Sequence, residues 1–181
     1  MAQKLRPGGA TPTMKAAVFI MTPTSAQSGR WIDDATPADE RTYTTFIHLM
    51  GLLSFVVDFA SGIVSLLGTV IMWRIKSGES EFLDDHGREA VNFQITMLIY
   101  AVGGAIAATI IGVIFSIVTL GVGVALMPLW YLALAGFLIV LRLVGCIRGA
   151  IAANRGEYYR YPMTIRILKH PDDADEAWER V

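Results

Sequence analysis

Charged residues are scarce in this chain, and their scarcity limits its class. Only 17% of the 181 residues are charged, whereas a soluble domain usually carries about a quarter. The formal net charge is −1, so the chain lacks the basic surface that a nucleic-acid partner would require. The single cysteine, Cys146, excludes a disulfide within the chain.

Long apolar stretches take the place of the missing charges. The chain is 54% hydrophobic, and no Asp, Glu, Lys or Arg occurs between Gly104 and Leu141. An uncharged stretch of that length is typical of membrane-embedded helices. The sequence therefore predicts an all-α integral membrane protein whose first partner is the lipid bilayer.

Composition divides the chain into three parts. Residues 1–41 are rich in Pro, Thr, Ser, Ala and Gly, which predicts a disordered cytoplasmic N-terminal arm. The apolar run at 16–21 is too short for the core of a signal peptide, so we expect no cleaved signal. Residues 42–169 form the predicted membrane domain, and residues 170–181 form an acidic C-terminal tail.

The membrane domain is predicted to contain four transmembrane helices. The first apolar block, Tyr43 to Ile75, has Asp58 at its middle and is too long for one span of a ~30 Å hydrocarbon core. It therefore predicts a short hairpin with helices at 42–58 and 61–75, the second capped by Ser61. The third helix is predicted at 84–120, and the fourth begins between Val122 and Pro128 and ends near residue 154.

The distribution of basic residues predicts the orientation. Neither turn on the far side of the four-helix topology, at 58–62 or 121–127, contains Lys or Arg. The positive-inside rule then predicts a multi-pass membrane protein with both termini cytoplasmic. Arg142, inside the fourth helix, is expected to extend its side chain toward the cytoplasmic headgroups.

A cluster of polar residues stands at the start of the third helix. Helical spacing places Asp85, Glu89, Asn92, Thr96 and Tyr100 along one face, which we call the polar stripe. His48 of the first helix is predicted to lie at the same depth and to contact Glu89 or Asn92. The predicted polar lip of the membrane domain contains His48, Asp85, His86, Glu89 and Asn92.

Two interpretations of this lip are open. It is either the solvated beginning of a helix, where acidic residues complement the helix dipole, or a metal site built from His48, His86 and Glu89. The chain contains neither an HExxH motif nor a cysteine cluster, and its serines lack a nucleophile motif. We therefore expect no metal, no cofactor and no enzymatic activity.

Two further groups of residues carry structural signals. Small residues recur every four positions in the third and fourth helices, which indicates close packing within the chain, with another copy, or with another membrane protein. Arginine and tyrosine alternate after the fourth helix, which predicts an anchor at headgroup depth. The packing residues are Gly104, Ala108, Gly112, Gly145, Gly149 and Ala153; the anchor residues are Arg155, Tyr158, Tyr159, Arg160 and Tyr161.

Three stretches carry a family resemblance: IHLMGLL (residues 47–53), FLDDHGREAVNFQITMLIY (82–100) and IAANRGEYYRYPMTIRILK (151–169). They resemble a family of small bacterial membrane proteins whose defining domain has no assigned function. That domain is distantly similar to the twenty-kilodalton subunit of the chloroplast inner-envelope protein translocon. The resemblance covers residues 42–169 and implies a four-helix membrane domain located in the bacterial inner membrane. The predicted function is that of a structural or interaction component of the membrane, with a translocon-like or channel subunit as the alternative.

Overall fold

The computed structural model describes residues 32–33, 35–57 and 62–169, and these residues are predominantly helical. Within them the all-α class is confirmed, and an isolated bridge between Ile32 and Glu157 is the sole β-type pairing. The predictions for residues 1–31 and for the tail at 170–181 lie outside the described residues. The helices are α1 (Ala38–Leu49), a 3-10 segment (Met50–Leu53), α2 (Ser54–Val57), α3 (Ile63–Lys76), α4 (Glu81–Val118) and α5 (Val122–Asn154).

Local chemistry explains where the helices begin. The side chain of Ser80 accepts a hydrogen bond from the backbone N–H of Leu83 and caps α4. The residue before α3 is Gly62, in the left-handed conformation with φ of 65°, and Ser61, the predicted cap of this helix, lies outside the described residues. The first helix begins at Ala38, inside the predicted disordered arm.

The protein has two ends with different packing. At the packed end, α1, α3, residues 81–97 of α4 and residues 145–154 of α5 enclose the buried core. Its centre includes Phe93, Met97 and Cys146. From there α4 and α5 continue together to a turn at Gly121, where φ is 97°. This second region, residues 98–118 and 122–144, is the long hairpin, and its outward-facing side chains are apolar.

Two of the helices are long and apolar enough to cross a membrane, and both belong to the long hairpin. Their most apolar windows are almost entirely exposed in the structure, unlike the core helix of a soluble protein. The first arm of the first hairpin is divided into α1 (12 residues), the 3-10 segment and α2, and its second arm, α3, has 14 residues, so neither arm contains a single α-helix as long as a ~20-residue span. The structure therefore supports two of the four predicted membrane spans.

The predicted packing residues lie between elements of the same chain. A Cβ on Gly104 would lie 2.8 Å from the Leu134 side chain, and one on Gly112 would lie 3.1 Å from Met127. Both contacts join α4 to α5 along the long hairpin. Gly145 and Gly149 instead let residues of the packed end approach α5 closely, and Ala153 is fully buried there.

We expect Gly149→Leu to destabilise the protein more than Gly104→Leu. A Cβ on Gly149 would lie 2.9 Å from the His48 ring and 3.0 Å from the Tyr161 hydroxyl, inside the core. Overpacking of this kind typically costs about 1–3 kcal/mol. The Leu134 side chain beside Gly104 ends in methyl groups that can move. Thermal unfolding in mild detergent measures both effects.

Gly136→Leu is the matched control, because an added Cβ there meets no atom within 4 Å. Its melting temperature should stay close to that of the wild type. Equal melting temperatures for the Gly149 and Gly136 variants would show that the packing at Gly149 is wrongly described.

Candidate functional site

The polar stripe of α4 faces the chain's own C-terminal segment, residues 157–168. This segment follows α5 without forming a helix or strand. Each of the five stripe residues forms at least one hydrogen bond with it. Side chains along one face of α4 thus supply the kind of hydrogen bonds that a neighbouring strand would supply to an extended segment.

Acidic side chains bind the first part of the segment. Asp85 accepts two hydrogen bonds from the Arg160 guanidinium, at 2.5 and 2.8 Å. Glu89 accepts the backbone N–H of Tyr161 at 3.0 Å and is also paired with Arg166 at 3.2 Å. Both carboxylates are buried, so charge-assisted hydrogen bonds replace the water they lose.

Neutral side chains bind the second part. The amide oxygen of Asn92 accepts the backbone N–H groups of Ile167 (3.1 Å) and Leu168 (2.8 Å). Its NH₂ group donates to the carbonyl of Leu168 at 2.9 Å. Thr96 accepts the N–H of Ile165 at 2.9 Å. The Asn92 side chain therefore satisfies three backbone groups that have left regular secondary structure.

The order of these contacts shows the path of the segment. Arg160 lies at Asp85, near the start of α4, and the carbonyl of Met163 accepts the Tyr100 hydroxyl at 2.7 Å, about four turns further along. The chain then returns, so that Leu168 lies at Asn92. Met163 occupies the reversal with a left-handed φ of 59°.

Burial of the stripe contradicts one interpretation of the polar lip. Asp85, His86, Glu89 and Asn92 are each at most 5% exposed. They do not form the solvated start of a helix. They form the polar interior of the packed end, covered by the C-terminal segment.

His48 has different partners from those predicted. Its Nδ1 atom lies 2.7 Å from the Tyr161 hydroxyl and its Nε2 atom lies 2.7 Å from Nδ1 of His86. Because both ring nitrogens are used, the predicted contact with Glu89 or Asn92 is wrong. Burial raises the pKa of Tyr161 well above its ordinary value of 10.0, so the hydroxyl remains neutral. The three side chains link α1, α4 and the C-terminal segment.

The residues of the predicted interfacial anchor lie in two different environments, buried and exposed. The rings of Tyr159 and Tyr161 are buried in the core, where Tyr161 stacks on Phe93 with ring centroids 4.1 Å apart. These two tyrosines are core residues, contrary to the prediction. Tyr158 is half-buried, while the side chains of Arg155 and Arg160 are 64% and 50% exposed.

The possible metal ligands are bonded to other groups. His48 and His86 contact each other, and Glu89 is bound by Tyr161 and Arg166. Across residues 32–33, 35–57 and 62–169, His, Cys, Asp and Glu do not form a group of three able to hold a metal.

Arg142 extends toward the first hairpin and not toward the packed end. Its guanidinium donates to the hydroxyl of Ser54 and lies next to Gly62. The prediction that it reaches the cytoplasmic headgroups is therefore wrong. Below it, a cavity of about 300 Å³ separates the first hairpin from the long hairpin; residues from both line it, including Gly62, Met97, Ala101, Tyr131 and Leu134.

A family model places the chain among known proteins. The model of the magnetosome magnetite crystal formation protein family (MamF/MmsF) matches residues 39–168. The chain belongs to this family. The matched region begins at the second residue of α1 and ends at the last residue of the C-terminal segment. No curated protein and no solved structure matches the chain.

Membership of the magnetosome family agrees with part of the resemblance found in the sequence. A bacterial membrane-protein family is confirmed, and its extent is close to the predicted 42–169. The distant similarity to the chloroplast translocon has no support in the family match.

Proposed function

We propose that this protein is an integral component of the magnetosome membrane that takes part in magnetite crystal formation. We assign it a structural or interaction role without enzymatic activity. The observation that carries the proposal is the family match over residues 39–168. That range contains α1, both membrane-spanning helices and the C-terminal segment bound to the polar stripe.

The architecture supports a rigid platform on one side of the bilayer. The long hairpin inserts the protein, and the packed end is held closed by hydrogen bonds of the C-terminal segment. The exposed guanidinium group of Arg155 is placed to bind lipid phosphates or an acidic partner. Such a platform would hold another copy or a second membrane protein in a fixed position.

The orientation belongs to the same proposal. Ile32 and Leu168, near the two limits of the described residues, both contact the packed end, since Ile32 pairs with Glu157 and Leu168 with Asn92. The positive-inside rule places that end in the cytoplasm. The sequence favours the bacterial inner membrane as the location and the family description favours the magnetosome, and fractionation of the two membranes distinguishes these locations.

A translocon-like or channel subunit, the alternative from the sequence, would need a polar path through the bilayer. Along the long hairpin, the hydroxyls of Thr109, Ser116 and Thr119 each donate to the backbone carbonyl four residues earlier. These hydroxyls are bonded within the protein, and that of Thr109 also lies 2.6 Å from the Tyr131 hydroxyl of α5, which favours the structural role. Ion conductance of the purified protein in planar bilayers would favour the channel.

Gene deletion in a magnetosome-forming bacterium tests the proposed function. We expect the deletion strain to form magnetite crystals of altered size or number, measured by electron microscopy. The wild-type gene and the Gly136→Leu variant should restore the crystals, whereas a variant that releases the C-terminal segment, Asn92→Leu, should not. Two results together would contradict the proposal: unaltered crystals in the deletion strain, and absence of the protein from magnetosomes isolated from the wild-type strain.

A further inference from the structure

The first hairpin is much shorter than the long hairpin beside it. A Cβ on Gly51 would lie 2.6 Å from Sγ of Cys146. These two residues are therefore at the same position along the axis of the long hairpin. From Gly51 the first arm continues six residues to Val57, which is about 10 Å. From Cys146, α5 continues 24 residues to Val122, which is about 36 Å.

The second arm gives the same depth. Gly68 of α3 packs against Met50, next to Gly51, and Gly62 lies six residues further down. A connection of four residues between Val57 and Gly62 can extend by at most about 9 Å before it must return. At least about 15 Å of the long hairpin therefore continues beyond the first hairpin, half of a ~30 Å hydrocarbon core.

The inserted part of the first hairpin has an apolar outer surface. Large aliphatic side chains are exposed on both arms, and this surface continues onto the exposed aliphatic residues of the long hairpin. Basic residues mark where the surface leaves the membrane: Arg74 is exposed near the end of α3, and Arg148 is exposed on α5, half a turn above Cys146. The exposed side chains nearest the turn are Val56, Val57, Ile63, Val64 and Leu67.

We propose that the first hairpin is re-entrant and occupies only the leaflet next to the packed end. The protein is then a wedge, with four helices in one leaflet and two in the other. A helix is about 10 Å across, so two additional helices add roughly 160 Å² to one leaflet only. The cavity at Gly62 and Tyr131 lies where the wide half of the wedge meets the narrow half.

A wedge of this shape fits a curved bilayer. Its partner is a membrane whose leaflet next to the packed end lies on the convex side, where lipids are spread apart and an inserted hairpin fills the gaps. In a flat membrane the same hairpin compresses the lipids around it. The protein therefore senses or stabilises curvature of one sign, independently of any role in crystal formation.

Membrane tubes pulled from giant vesicles test the proposal. Thr42 is exposed on α1, so a Thr42→Cys, Cys146→Ala protein carries one dye at the packed end. A membrane-impermeant quencher identifies vesicles whose packed ends face outward. We expect at least about twofold enrichment in tubes over the flat membrane, as for other curvature-sensitive insertions. Proteins facing the tube interior should be depleted, and equal densities for both orientations would overturn the wedge.

Two matched variants locate the effect. Serine at Val57, Ile63 and Leu67 should abolish enrichment, whereas serine at Ile110, Ile114 and Ile117 of the long hairpin should leave it intact. Circular dichroism and thermal unfolding verify that both proteins are folded. Loss of enrichment in the second variant alone would assign curvature sensing to the long hairpin and refute the proposal.

Labelling from the far side tests the depth directly. Val57 and Leu120 are both exposed, at 60% and 96%, and each is replaced by cysteine in a Cys146→Ala background. An impermeant maleimide on the side opposite the packed end should modify position 120 and not position 57. Labelling of both positions would restore the four-span topology and exclude a re-entrant hairpin, whatever the outcome for magnetite.

Discussion

Replacing Asn92 with leucine should lower the free energy of unfolding of the packed end by about 3 kcal/mol and release residues 167–168. The Asn92 side chain is 1% exposed and forms three hydrogen bonds with the backbone of Ile167 and Leu168. A buried donor or acceptor left without a partner costs about 1–3 kcal/mol. Three backbone groups lose their partner in this variant. The expected loss lies at the lower end of their combined cost, because release of the segment lets water bind these groups. Thermal or denaturant unfolding in detergent measures the change.

Gln94→Leu is the control for this variant. Gln94 is 3% exposed on the same helix, and its amide oxygen has no hydrogen-bond partner among the described residues. Replacing it removes a buried amide without affecting the C-terminal segment, so residues 165–168 should stay bound. If both variants release the segment, then loss of any buried polar group on α4 is sufficient to release it, and the hydrogen bonds of Asn92 are not specifically required.

Arg160→Met should also destabilise the protein, by about 2–3 kcal/mol. Its guanidinium forms two hydrogen bonds with Asp85, whose side chain is 7% exposed. Removal of one partner leaves a buried carboxylate without a counter-charge, which costs 3–5 kcal/mol for fully buried pairs. The expected value is lower because the Arg160 side chain is half exposed and water screens the pair. Arg155→Met should cost less than about 1 kcal/mol, since its contact with Glu157 is long (3.9 Å) and exposed on the arginine side.

A double-mutant cycle isolates the pair. Asp85→Asn combined with Arg160→Met removes both charges, so the double variant should be more stable than Arg160→Met alone. The coupling free energy should exceed about 1 kcal/mol, as for residues in direct contact. Strict additivity of the two single changes would mean that Asp85 and Arg160 do not interact in the folded protein.

Helical periodicity predicted the part of the site that lies on one helix. Asp85, Glu89 and Asn92 recur at helical spacing, and the structure places all of them toward one partner. The four-residue repeat of small residues likewise predicted close packing but not its partners: Gly104 and Gly112 pack between α4 and α5, whereas Gly149 packs against His48 and Tyr161. Patterns of this kind are readable because the geometry of an isolated helix determines them.

The partner of the stripe was not predictable, because it depends on contacts between distant residues. Arg160 and Leu168 are 75 and 76 residues from the side chains that bind them. The C-terminal segment has no helical or strand periodicity of apolar residues from which its contact with α4 could be predicted. An indirect signal was present in the sequence. The stripe carries several hydrogen-bond acceptors, and the segment supplies arginines and backbone N–H groups that lie outside regular secondary structure.

The depth of the first hairpin was not predictable for a related reason. Hydropathy shows that the first hairpin is apolar near its turn, on α2 and α3, but does not show how far these helices extend past their neighbours. Their depth is determined by contacts such as Gly51 with Cys146 and Gly68 with Met50. The same limitation applied to His48, whose neighbours Tyr161 and His86 follow from how three elements pack together.

Hydrogen exchange of the C-terminal segment tests the central claim, that the polar stripe of α4 binds this segment. The backbone N–H groups of Tyr161, Ile165, Ile167 and Leu168 donate to α4 side chains. In the wild-type protein in a lipid nanodisc, mass spectrometry should show these amides exchanging as slowly as those of α1. In Asn92→Leu, the amides of Ile167 and Leu168 should exchange at least about tenfold faster, because local opening then costs at least 1.4 kcal/mol less. Exchange of residues 161–168 at the rate of a free peptide in the wild-type protein would contradict the account.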